Sequence, residues 1–249
     1  AEGPGRGVCV LLNGSSEFIE KYFEVIDELR ERGFAVATMD WRGQGGSERL
    51  LPQAPLKGFV SDFSDYDADL DALMRQVVAP MLGPGEQPLA LAHSLGGHML
   101  LRYLTGAPGR IRAAAFSAPM LFFSTGPLPL WLVRGVTGLM IALGRGRDFI
   151  WGAPNDPLSL PFERQIVTSD AARFQRTKDF LRAHPALRLA GPTWAWIAAA
   201  LRSQDAMARP DAPRSITTAV LICGAGKDRV VNTKATRRFV QAMPRAVYC

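Results

Sequence analysis

The stretch LALAHSLGGHML, residues 89–100, constrains the fold of this chain more than any other. Its apolar start reads as a strand, its Gly96-Gly97 pair as a tight corner, and the apolar pattern from Leu95 to Leu104 as a helix. Ser94 stands at the join. Corners of the G-x-S-x-G type lift a serine hydroxyl to the top of a sheet, and they need small residues two before and two after it. Here those residues are Ala92 and Gly96, so the first glycine is replaced at the cost of one methyl. The bland alternative is an N-cap serine, with glycines that merely let helix and strand pack closely.

The rest of the first 118 residues alternates in the same way. VCVLLN (8–13), FAVATM (34–39), PLALAH (88–93) and IRAAAFSAP (111–119) read as strands. EKYFEVIDELRERG (20–33) and SDFSDYDADLDALMRQVVAP (61–80) read as helices, the second with acids in its first turns where the macrodipole favours them. Such alternation predicts an α/β fold with a mostly parallel sheet and crossover helices. From 119 to 210 the strand signal stops, and Pro, Gly and Trp punctuate helical pieces such as AARFQRTKDFLRA (171–183). ITTAVLIC (216–223) then restores a strand, followed by the helix TKATRRFVQAM (233–243) and a last strand begun by RAVYC. The expected organisation is a core of 1–118 and 211–249, incomplete at both ends, with 119–210 as a helical insertion.

Charge and cysteine usage exclude several classes. The net charge of +6 is spread along the chain without a compact basic run, which speaks against a nucleic-acid partner. Cys9, Cys223 and Cys249 form no CxxC or even framework and read as reduced, buried thiols of a cytoplasmic protein. The first residues show no leader signature. PMLFFSTGPLPLWLVRGVTGLMIALG (119–144) is nearly uncharged and as long as a bilayer span, but Pro127, Pro129 and Arg134 oppose one. Leu132, Val136, Leu139, Met140 and Leu143 suit an amphipathic surface or lid helix instead.

A serine becomes a nucleophile only when a base takes its proton and hydrogen-bond donors await the oxyanion. Its corner supplies one donor, the N–H of Leu95, and the turn NGSSEF after the first strand offers a second, the N–H of Ser15. Asp228, in the loop after ITTAVLIC, could be a plain turn or cap residue, but given Ser94 it stands where the acid that orients a triad histidine belongs. The histidine is missing. His93 abuts the serine and points away, His98 lies in the following helix against the sheet, and His184 ends a helix of the insertion. None follows Asp228.

Longer blocks resemble a known family. RGVCVLLNGSSEFIEKYFEVIDELRERGFAVATMDWRGQGGSERLL is similar to the start of bacterial lysophospholipases of the L2 type, relatives of monoacylglycerol lipases within the α/β hydrolases. AHSLGGHMLLRYL, TSDAARFQR, AGPTWAWIAAAL and GAGKDRVV match further blocks in order. Leu95 departs from the family's usual Met, and Asn13 from its usual Pro or His.

The resemblance implies an α/β-hydrolase fold with a helical cap, Ser94 as nucleophile, Asp228 as acid, and Ser15 and Leu95 as oxyanion donors. It places the base histidine in a loop after the strand that RAVYC begins, and further strands upstream of Arg6. It implies an acyl-enzyme route on lysophospholipids, or on monoacylglycerols or simpler esters, without metal or organic cofactor. Trp131, Leu132, Met140, Trp194 and Trp196 become candidates for an acyl channel, and Arg134, Arg145 and Arg147 for contact with a lipid phosphate. Glu17 and Asp40 are expected to order loops. The expected location is the cytoplasm, with peripheral contact at the inner membrane through the cap. A reading of another class remains: a catalytically silent lipid- or partner-binding homologue that has no base.

Overall fold

The structure, a computed structural model, describes residues 5–249. Six strands form one parallel sheet in the order β2-β1-β3-β4-β5-β6: β1 Val8–Leu12, β2 Ala35–Met39, β3 Leu89–His93, β4 Ala113–Ser117, β5 Ala219–Cys223 and β6 Ala246–Tyr248. Strand β1 is buried throughout, as a strand covered on both faces of a parallel sheet must be. Its register sets Val10 between Ala37 of β2 and Ala90 of β3. The chain leaves β1 toward one edge of the sheet and β3 toward the other. That reversal opens a crevice beyond the carboxyl ends of β1 and β3, where such sheets bind ligands.

Helix α1 (Phe23–Glu31) follows β1 behind a 3₁₀ turn at Ile19–Tyr22. The expected helix over 61–80 is α2 (Ser64–Leu73), a π-helical turn at Met74–Val78, and α3 (Ala79–Met81). Pro80 has no N–H to give Gln76, and its ring presses on that carbonyl, so the ladder loosens there. Helix α4 (Ser94–Gly106) starts at the serine itself and runs under the sheet, with Met99, Leu100, Leu101 and Leu104 in the core. Helix α9 (Thr233–Gln241) is capped by the Asn232 side chain, which accepts from the Ala235 N–H at 3.1 Å.

Between β4 and β5 the α-helices are α5 (Leu130–Ala142), α6 (Ala171–Ala183), α7 (Trp194–Met207) and α8 (Asp211–Ser215). Asp170 caps α6 by accepting from the Arg173 N–H, as the Thr-Ser-Asp signal predicts. Helix α5 spans 13 residues. That is about 20 Å, against the ~30 Å of a hydrocarbon core. Among the described residues no helix is long and apolar enough to cross a membrane.

Two of the three cysteines depart from the expected burial. Cys9 is buried, and burial raises its thiol to about 11. Cys223 and Cys249 are exposed, with sulfurs 3.1 Å apart. They close β5 and β6 at the sheet's edge, where Leu221 and Val247 also face outward.

Candidate active site

Ser94 occupies the corner between β3 and α4 with φ of 50°, in the left-handed region that non-glycine residues rarely enter. The strain is held by close packing on both sides. A Cβ at Gly96 would lie 2.6 Å from the carbonyl oxygens of Leu12 and Asn13, and one at Gly97 would lie 2.7 Å from Cβ of Pro119. The Gly96 N–H donates to Asn13 O at 3.0 Å, and the Met120 N–H to Ser94 O at 2.9 Å. The corner is thereby tied to β1 on one side and to the segment after β4 on the other. The methyl of Ala92 is buried without disturbing the turn.

The loop after β1 is fixed at nearly every polar atom. Trp41 Nε1 donates to Asn13 O at 3.0 Å, and Asn13 Nδ2 donates to Asp40. Gln44 receives the Ser16 N–H at 3.0 Å and gives its own amide to Gly14 O at 2.7 Å. Glu17 accepts the Gly14 N–H at 2.7 Å while Lys21 and Tyr22 donate to it. The Ser15 N–H has no partner among the described residues. Neither does Leu95, whose N–H lies in the first turn of α4, have an intrahelical acceptor. Two backbone donors thus stand beside Ser94, since a Cβ at Gly14 would come within 3.1 Å of the serine's own Cβ.

Burial alone would raise the Glu17 carboxyl. Lys21 first, then His93, outweigh it and hold the group below its ordinary value. Glu17→Gln keeps the size but loses the charge-assisted grip on Gly14 and the pair with Lys21. We expect hydrolysis by the full-length polypeptide to fall roughly tenfold, since one such bond to a charged group is worth about 1.5–3 kcal/mol. Unchanged kcat in a stopped assay would show that the loop holds without it.

Asp228 follows β5 by a short loop. Its Oδ1 accepts the N–H groups of Val230 and Val231, both at 2.8 Å, and no donor among the described residues engages Oδ2. The loop is also stitched to the segment after β4: Ser124 N–H to Val230 O and Asn232 N–H to Phe122 O, each 2.7 Å. Over Ser94 lies a cleft of about 470 Å³. Ser15, Tyr66, Met120, Ile150, Ile166, Val167, Leu189, Trp196, Ile197 and Val230 line it, largely apolar groups around one hydroxyl corner.

The family described as serine aminopeptidase, S33 (Hydrolase_4) matches residues 3–248, almost the whole chain. The chain belongs to this α/β-hydrolase family. The hydrolase is 34% identical over 237 residues to lysophospholipase L2 of Escherichia coli strain K12, covering 94% of this chain and 67% of that protein. It is 25% identical over 240 residues to a monoacylglycerol lipase of Mycolicibacterium smegmatis, covering 94% of this chain and 75% of that one. The crystal structure of Paleococcus ferrophilus monoacylglycerol lipase superposes with a TM-score of 0.73 at 20% identity, covering 99% of this chain and 85% of that one. That likeness shows the fold.

None of the hydrolase's histidines stands ready as a base. His93 directs Nδ1 to Ser117 O at 2.9 Å, and His184 packs on Phe180 at the exposed end of α6. His98 is fully buried beside Phe63, with Nε2 2.5 Å from Ser203 Oγ. Arg102, paired with Asp67, donates to the same Oγ at 2.9 Å.

Burial, then Arg102, lower His98 to about 3 from 6.5. It is neutral when folded, while the unfolded chain's imidazole takes a proton below 6.5, so stability is full above that value and declines as pH falls toward 3. The slope from this group is at most about 1.4 kcal/mol per pH unit. Urea midpoints should drop between pH 7 and pH 5, and less so in His98→Gln, which cannot titrate. Equal drops in the two proteins would assign the effect elsewhere.

Of the residues singled out for an acyl channel, Trp196 alone faces the cleft, with Nε1 on the Tyr66 hydroxyl at 3.3 Å. Met140 and Trp194 are buried in the insertion's own packing, Trp194 against Trp151. Trp131 is 72% exposed on the outside, and Leu132 is half-buried beside it. Arg134 pairs with Asp205 of α7 at 2.5 and 2.7 Å and Arg145 with Asp148, so neither is turned to the cleft. Arg147 does not line it either. The aliphatic wall at Ile150, Ile166, Val167 and Leu189 carries no distinctive local pattern.

Proposed function

We propose that the chain is the larger part of a serine hydrolase that cleaves the single acyl ester of a lysophospholipid. The observation that carries the reading is the strained Ser94 hydroxyl at the floor of an apolar cleft, between two uncommitted backbone N–H groups. Ser94 Oγ attacks the ester carbonyl, and the N–H groups of Ser15 and Leu95 receive the oxyanion. A histidine from residues beyond Cys249, oriented by the free Oδ2 of Asp228, takes the serine proton and passes it to the departing glycerol oxygen. Water, activated by the same base, then releases the fatty acid and restores Ser94. Support comes from the relatives named lysophospholipase L2 and monoacylglycerol lipase.

The full-length polypeptide tests this on lysophosphatidylglycerol, a monoacylglycerol and a short p-nitrophenyl ester. The reading predicts the highest kcat/KM on a long-chain lipid. A clear preference for the short ester would overturn the lipid assignment, and an inert protein with intact lipid binding would return the silent-homologue alternative.

Peripheral membrane contact belongs to the same reading. Helix α5 and the residue after it turn Trp131, Leu139 and Leu143 to solvent, 72, 57 and 63% exposed. Such a face is what an interfacial helix lays into a lipid surface. Trp131→Glu should reduce co-sedimentation with anionic vesicles, and an unchanged bound fraction would remove α5 from the contact.

A further inference from the structure

The charge of the cleft comes from two arginines and no acid. Arg42 and Arg229 are the charged residues among those lining it. Arg42 is neutralised in place: Asp69 holds it through two bonds of 2.8 and 2.6 Å, and Asp65 stands 3.3 Å away. Arg229 makes no ion pair within 4 Å among the described residues, and it is an exposed residue that lines the cleft. It rises from a fixed backbone, since Val230 and Val231 bond to Asp228, and Val230 and Asn232 bond to the segment 122–124.

We infer that Arg229 binds the phosphate of the head group and so makes the cleft select a phosphate-bearing monoacyl lipid over a neutral monoacylglycerol. The inference rests on the ester-hydrolase reading of this cleft. Its geometry follows from the chemistry of that reaction. The acyl chain needs the aliphatic wall of Ile150, Ile166, Val167 and Leu189. The alcohol must leave toward the proton donor, on the side of Asp228. Arg229 is the next residue after Asp228 and lies on that side. In a lysophospholipid the phosphate sits at the other end of the same glycerol. A guanidinium offers it a planar fork of donors, which a lysine ammonium does not.

The experiment compares the full-length polypeptide with its Arg229→Gln and Arg229→Lys variants on lysophosphatidylglycerol and on a monoacylglycerol of the same acyl chain. The ratio of the two kcat/KM values is the readout. In Arg229→Gln the ratio should fall about tenfold, the order expected for one charge-assisted contact, through a higher KM for the phospholipid. Arg229→Lys should recover part of it. Added salt should lower the ratio in the unmodified protein and leave it flat in Arg229→Gln. A ratio unchanged in Arg229→Gln, or a parallel loss on both lipids, overturns the role of Arg229 while leaving the hydrolase intact. Failure of the unmodified protein to cleave either lipid overturns the underlying reading as well.

Discussion

Ser94→Ala in the full-length polypeptide is expected to lower kcat/KM on a lysophospholipid by about 10⁴-fold or more, the scale at which removal of a nucleophile disables a triad. Lipid binding should survive, because the alanine keeps the Cβ and Trp196 still lines the cleft to report occupancy by its fluorescence. The same logic applies to residues 1–249 by themselves. Their histidines are committed to Ser117, buried against Ser203, or exposed on α6, so this polypeptide should hydrolyse only about as fast as an enzyme stripped of its base. Titration of lipid into residues 1–249, followed by assay for free fatty acid, checks both halves. Near-normal turnover there would force His93 or His184 into the role of base and refute the assignment.

The parts that could be read from sequence are those where backbone demands restrict residue type. A strand buried on both faces must be apolar throughout, and VCVLL is. A left-handed serine flanked by backbone carbonyls needs a glycine at Gly96, and the pair Gly96-Gly97 announces the corner. The cleft wall has no such signature. Met140 and Trp194 are as apolar as Ile166 and Leu189, and only tertiary packing, α5 on α7 in the case of the first pair, decides that the first pair is interior and the second lines the cleft. Arg134 looks like a free cation until Asp205, far along the chain, arrives beside it. The clamps on the loop after β1 were hidden for the same reason. Trp41 and Gln44 reach Asn13 and Gly14 from a different loop, and nothing local at either end records the contact.

After replacement of Ser94, the proposed nucleophile, Gly96→Ala is expected to be the most damaging small substitution. The new Cβ would meet two carbonyl oxygens, Leu12 O and Asn13 O, at 2.6 Å, closer than real Cβ contacts come. Neither can swing aside as a flexible side chain would. Leu12 belongs to the central strand β1, and Asn13 O already accepts from both Trp41 Nε1 and the Gly96 N–H. Relief must come from moving α4 away from β1, which separates the N–H of Leu95 from that of Ser15. The two donors then no longer converge on one oxygen. Loss of a single oxyanion donor costs about 10²–10³ in kcat, so a fall of at least about a hundredfold is expected. Overpacking of this kind also destabilises by about 1–3 kcal/mol. Gly135→Ala, on α5 where a Cβ would meet nothing within 4 Å, is the matched control and should leave kcat close to that of the parent. If Gly96→Ala lowers the melting temperature but leaves kcat intact, the spacing of α4 and β1 does not set the oxyanion geometry. If kcat falls while KM stays near the parent's and the variant is still fully folded under the assay conditions, the damage lies in the transition state, where the geometry of the two N–H groups puts it.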